Sequence, residues 1–168
     1  MKPSSVNQNV SVILAHRTSE KHLVDVFIEL KFWFDNITIV GPDCSKTSEQ
    51  IKSLNGKWIG TESCSIQDLW EKGMQSTNSS WYLLLESSEY ISAVLKESIV
   101  ETMNINLSQP TWFPIKREIF FLKQRLKYPL EWTHDPKPGL LFKGTENLKK
   151  IDFQRIEKEV LKGKSIYF

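Results

Sequence analysis

The first patterned stretch of the chain is VSVILA at 10–15, a continuous apolar run rich in β-branched residues. A run this short, too brief for a helix, predicts a strand covered on both faces. HRTSE follows, with Thr18 or Ser19 placed to cap a helix, and EKHLVDVFIELKFW then sets Leu23, Phe27, Leu30 and Phe34 at helical spacing. NITIV (36–40) predicts a second strand and GPDCS a turn. KTSEQIKSLNG predicts a helix closed by Gly56, KWIG a short third strand, and SIQDLWEKGMQS a helix capped by Ser65. WYLLL (81–85) predicts the fourth strand and SAVLKESIVETM the helix after it.

Strand and helix alternate four times in this order, which predicts a mostly parallel central sheet with helices on both faces. Past residue 110 the pattern changes. TWFPIKREIFFLKQRLKYPLEWTHDPKPGLLFKG holds two or three strand-like pieces, several prolines and no long helix, so antiparallel strands added to the sheet are expected. ENLKKIDFQRIEKEVLKGK then predicts an amphipathic helix with Ile151, Ile156, Val160 and Leu161 on its apolar side. The expected architecture is a Rossmann-like α/β domain with an antiparallel C-terminal strand region. The expected unit is one domain over 1–168, either whole or part of a longer protein.

A chain of 168 residues can bury roughly two thirds of its unfolded surface, so no disulfide or metal staple is needed. The apolar share of 40% and charged share of 25% fit a globular domain and exclude a disordered or fibrous one. Charge is uneven within the net +2: residues 1–110 carry 9 Lys and Arg against 13 Asp and Glu, and residues 111–168 carry 13 against 7. The basic C-terminal third suits an anionic partner such as a phosphorylated substrate or a membrane surface, or is a solvated face. Cys44 and Cys64 show no zinc-ligand spacing, and no nucleic-acid recognition motif is present. The polar opening MKPSSVNQNV carries no secretory signal, and the apolar runs fall far short of a bilayer span. The expectation is a cytoplasmic protein with reduced thiols.

In open α/β sheets, ligands lie outside the carboxyl ends of the strands, here 15–20, 41–44 and 86–89. SVILAHRTSEKHL, FDNITIVGPDCSKTSEQIKSLNGKWI, WYLLLESSEYIS and FPIKREIFFLK with EWTHD and LLFKG together resemble a family-2 glycosyltransferase of the GT-A fold, over roughly residues 9–145. The branch they resemble is the bacterial enzymes that add hexoses to the lipopolysaccharide inner core. The resemblance implies transfer of a hexose from a nucleotide sugar to a surface-polysaccharide or lipopolysaccharide acceptor, at the inner face of the membrane.

Residue by residue, the match is eroded. The family's first-strand loop, Pro-x-(Tyr/Phe)-Asn-Glu, reads here from Ala15 to Glu20, making His16 and Arg17 candidates for nucleotide-sugar binding. The acid expected after the second strand is replaced by Gly41, with Asp43 the nearest carboxylate, and Trp70-Glu71 stands where the family carries a basic residue and Asn. The family's Asp-x-Asp-Glu reads Glu86-Ser87-Ser88-Glu89, so Glu86 and Ser88 are candidate ligand contacts. Serine at 88 removes the carboxylate most useful to a metal, and Mg or Mn is expected to be bound weakly through Glu86 or not at all. Asp135 of EWTHD occupies the place of the catalytic base, with His134 beside it. Lys116, Arg117 and Lys137 are expected to meet the acceptor or a phosphate.

Each position also has a plain structural explanation. Asp43 after Pro42 and Asp135 before Pro136 are turn residues by local chemistry, and Glu86 with Glu89 suits an exposed strand end. Two functions therefore stand side by side. One is an inverting transferase using Asp135. The other is a catalytically degenerate module that binds a nucleotide, a glycan or a protein partner.

Overall fold

The computed structural model describes residues 9–17, 22–43, 45–63, 65–105, 111–115, 120–121, 124–125 and 138–142. Strand and helix alternate through β1 (Val10–Ala15), α1 (Leu23–Trp33), β2 (Asn36–Gly41), α2 (Ser45–Ser53), β3 (Lys57–Gly60), α3 (Ile66–Gln75), β4 (Trp81–Glu86) and α4 (Ala93–Met103). Next come β5 (Thr111–Pro114), the small antiparallel pair β6 (Phe120–Phe121) and β7 (Gln124–Arg125), and β8 (Pro138–Phe142). The main sheet has six strands in the order β3-β2-β1-β4-β8-β5. β1 to β4 are mutually parallel, while β8 runs antiparallel to both β4 and β5. The mostly parallel α/β sheet with antiparallel C-terminal strands is thus as the sequence pattern indicates.

Strand alternation divides the core into two layers. Val10, Val12 and Leu14 of β1, Ile37 and Ile39 of β2, and Trp81, Leu83 and Leu85 of β4 face Leu23, Val26, Phe27 and Leu30 of α1, Ile51 of α2 and Ile99 of α4. The intervening residues Ile13, Ala15, Val40, Tyr82 and Leu84 face Leu69, Trp70 and Met74 of α3. The chain steps outward from β1 to β3, then returns through α3 to place β4 on the other side of β1. Reversing the direction of travel moves the crossover helix to the opposite face, because such connections keep one hand. Gly73 lets α3 sit low on the sheet, since a Cβ there would lie 2.2 Å from Ile13 Cγ2.

The four helical apolar positions read from the sequence, Leu23, Phe27, Leu30 and Phe34, are all buried. Ser65 caps α3 by accepting from the Asp68 amide at 3.5 Å. α2 closes differently from expectation: its left-handed residue is Asn55 (φ 58), after which the Gly56 N–H donates to the Ile51 carbonyl at 2.9 Å. Asparagine tolerates that conformation through its short polar side chain. Gly56 is required for space, because a Cβ would meet Ile51 Cγ2 at 2.5 Å and Phe27 Cζ at 2.7 Å. Among the described residues no helix is long and apolar enough to cross a membrane. Thr18, Ser19, both cysteines and the expected C-terminal helix lie outside the described residues.

Candidate functional site

The β1–β4 ladder ends at the pair Ala15 and Glu86. It is prolonged by the Ser87 N–H, which donates to the Ala15 carbonyl at 2.9 Å, while the His16 N–H donates to the Val40 carbonyl at 2.8 Å. Alternation carries past the last strand residue on both chains. His16 continues the Val10, Val12, Leu14 series, and Ser87 continues Trp81, Leu83, Leu85. Both are therefore pulled into the layer that buries those residues, and both are almost wholly buried. Two buried polar side chains need partners. They find one another: His16 Nδ1 lies 3.2 Å from Ser87 Oγ.

The opposite parity carries the charged pair. Arg17 Nη2 donates to Glu86 Oε2 at 3.0 Å, with the arginine side chain 48% exposed and the glutamate 17%. Glu86 is held from behind as well, since its backbone N–H donates to Glu89 Oε2 at 2.8 Å. On the α3 side, Trp70 Nε1 donates to the Leu85 carbonyl at 3.0 Å and fixes the strand end just before Glu86.

Gly41 and Trp58 complete the wall toward β3. A Cβ on Gly41 would sit 2.5 Å from the His16 carbonyl oxygen and 2.9 Å from His16 Cβ, so only glycine fits beneath the histidine. The His16 ring meets Trp58 edge to face, with centroids 5.6 Å apart. Trp58 Nε1 is buried without a hydrogen-bond partner. Asp43 lies further along the rim: its carboxylate rests on Gly60, where a Cβ would fall 2.2 Å from Oδ2.

The structure thus brings together His16, Arg17 and Glu86, and puts the exposed Ser88 in the turn beside them. Asp43 stands apart, at the β2–β3 end of the same rim. Asp135, His134, Lys116, Arg117 and Lys137 lie outside the described residues. The donor set for a divalent cation is thin. Glu86 is bonded to a guanidinium, Glu89 accepts from an amide of its own turn, and among the described residues no three His, Cys, Asp or Glu gather to hold a metal. Ser87, Trp58 and Gly60 were not singled out from motif spacing. Ser87 had a signal all the same, since it sits two residues beyond Leu85 and shares its buried parity.

The location has a topological meaning. β2 and β3 lie on one side of β1, and β4 on the other, so the crossover direction reverses between β1 and β4. Strand-end loops diverge at such a point and leave a crevice, the usual ligand position in open α/β sheets. The Arg17–Glu86 and His16–Ser87 pairs both join the two strand ends at this switch point.

No protein-family model matches the chain, and no curated protein matches it. Solved structures do share its fold. The bifunctional IspDF of Campylobacter jejuni superposes with a TM-score of 0.54 at 12% identity, covering 96% of this chain and 49% of that one. This chain therefore spans about half the length of that protein. A CMP:2-keto-3-deoxy-manno-octonic acid synthetase complexed with CTP superposes with a TM-score of 0.55 at 11% identity, covering 96% of this chain and 90% of that one. The neighbours are an IspDF and a CMP-sugar synthetase, not glycosyltransferases, and the expectation of a family-2 glycosyltransferase is corrected on that finding; at this identity the likeness shows the fold alone. The error has a physical source. A strand–helix alternation with polar strand ends is common to many nucleotide-handling α/β folds and does not select one family. At Gly41 and Ser88 the chain lacks the carboxylates of the family-2 motifs, so these positions gave the assignment no support.

Proposed function

We propose that this chain is a nucleotide-binding module of nucleotidyltransferase-like fold, with its ligand in the crevice between the carboxyl ends of β1 and β4. The observation that carries the proposal is the half-exposed Arg17, bonded to Glu86 across the topological switch point. A guanidinium has five donors in a planar fork, and one bond to Glu86 leaves donors available to a phosphate. The complex of the synthetase neighbour with CTP supports a pyrimidine nucleotide as the first ligand to try. Asp43, further along the rim, is suited to the hydroxyls of a ribose or the amino edge of a base. His16 and Ser87 form the buried floor that sets the direction of Arg17. Binding, rather than a transfer reaction, is what these residues support.

The test is a thermal-shift series on the full chain with CMP, CTP, UMP, UTP, ATP and GTP, each with and without Mg or Mn. A ligand at 100 times its Kd adds about 2.7 kcal/mol. For a domain of this size that moves Tm by roughly 5 to 10 °C. The proposal expects a saturable rise for at least one pyrimidine nucleotide. No rise, and no heat of binding, for every nucleotide in the series contradicts it.

A further inference from the structure

We infer that Glu86 limits the negative charge this crevice accepts, so that it takes a nucleoside monophosphate in preference to the free triphosphate. The inference rests on nucleotide binding at the same crevice. Among the described residues that follow β1 and β4, numbers 16–17 and 86–92, the formally charged side chains are Arg17, Glu86 and Glu89. One guanidinium thus stands with two carboxylates. Neither carboxylate is loosely placed. Glu86 is mostly buried and bonded through Oε2 to Arg17, and Glu89 is tied through Oε2 to the Glu86 amide.

Arg17 can share its fork between Glu86 and one phosphate, because a single carboxylate oxygen occupies a single Nη2 contact. A triphosphate adds two more anionic groups beside Glu86 and Glu89. Like charges brought close near a protein surface repel more strongly than in bulk water, and salt screens that repulsion. Removing the charge of Glu86 while keeping its shape should therefore favour the longer phosphate chain selectively.

The experiment is calorimetric titration of the full chain with CMP, CDP and CTP in EDTA at low ionic strength. It is done for the wild type, Glu86→Gln and Glu86→Asp. In the wild type, affinity is expected to fall from CMP to CTP by about fivefold or more, and added salt should narrow the gap. Glu86→Gln should raise CTP affinity by roughly tenfold while changing CMP by less than about threefold. Glu86→Asp keeps the charge and should keep the CMP preference. The order of wild-type affinities and its salt dependence test the inference even if a variant folds poorly. CTP binding as tightly as CMP in EDTA overturns it. An unchanged CTP-to-CMP ratio in Glu86→Gln also overturns it. If no nucleotide binds at all, the binding reading falls and this inference with it, a result distinct from a reversed preference.

Discussion

The bodies of β1 and β4 and their carboxyl ends share one register, running from Val10 opposite Trp81 to Ala15 opposite Glu86, yet they carry different chemistry. Along the body, both faces are apolar but for Ser11, which bonds Ser79 through its hydroxyl at 2.6 Å. At the carboxyl end the same alternation continues into His16 and Ser87 on one side and Arg17 and Glu86 on the other. The difference teaches that the sheet supplies position while the strand ends supply polarity. A polar side chain two residues beyond a buried leucine is carried inside by the pleat, and a partner arriving from the neighbouring strand makes that tolerable.

If the contrast is sound, substitutions in the body should cost stability and substitutions at the rim should cost binding. The largest effect belongs to Leu83→Ala, which empties a fully buried site in the middle of β4. Such truncations cost about 2 to 5 kcal/mol, read from urea midpoints, and a loss under about 1 kcal/mol would mean that the core at β4 is loosely packed. Gly41→Ala comes next. It stands at the border, and its new Cβ would press on the His16 carbonyl oxygen at 2.5 Å. Overpacking of this kind costs about 1 to 3 kcal/mol. Because it pushes on His16, Gly41→Ala should weaken nucleotide affinity as well as stability.

Arg17→Ala sharpens the contrast from the rim. A half-exposed ion pair contributes about 0 to 1 kcal/mol to stability. The variant should therefore keep its urea midpoint while losing roughly tenfold or more in affinity for a nucleotide phosphate. A stability loss above about 2 kcal/mol would instead make the pair part of the core.

The smallest effect is alkaline. Burial first, and then the charges of Asp25 and Glu29, raise the Tyr90 pKa above its ordinary value of 10.0. The folded state then keeps the proton to higher pH than the unfolded state. The stability this contributes is full below about pH 10 and is lost as pH rises through the folded pKa. Tyr90→Phe should flatten that part of the decline in Tm between pH 9 and 11. The change should be slight, since Tyr90 is more than half exposed.

Much of the fold was legible in the chain because local and global signals agreed. VSVILA, NITIV, KWIG and WYLLL became β1 to β4 with shifts of one residue at most, and the Leu23, Phe27, Leu30, Phe34 series became the buried stripe of α1 and the residue after it. The strand order was not legible, since nothing in a single run says which neighbour it pairs with. Strand ends alone pointed to this rim as the candidate position, and there Arg17 pairs with Glu86 on one face and His16 with Ser87 on the other. The resemblance to family-2 glycosyltransferases rested on short polar motifs, and Gly41 and Ser88 stand where those motifs require carboxylates, so these positions carried no support for it. The pairing of His16 with Ser87 needed the β1–β4 register, which brings together residues 71 positions apart.

The central claim is that a nucleotide occupies the β1–β4 crevice, and amide chemical-shift mapping during titration with CMP tests it most directly. The account predicts saturable shifts centred on His16, Arg17, Glu86, Ser87 and Glu89, with residues in the bodies of β1 and β4 unmoved. Saturable shifts confined to other parts of the molecule, with these five amides unchanged, would contradict it.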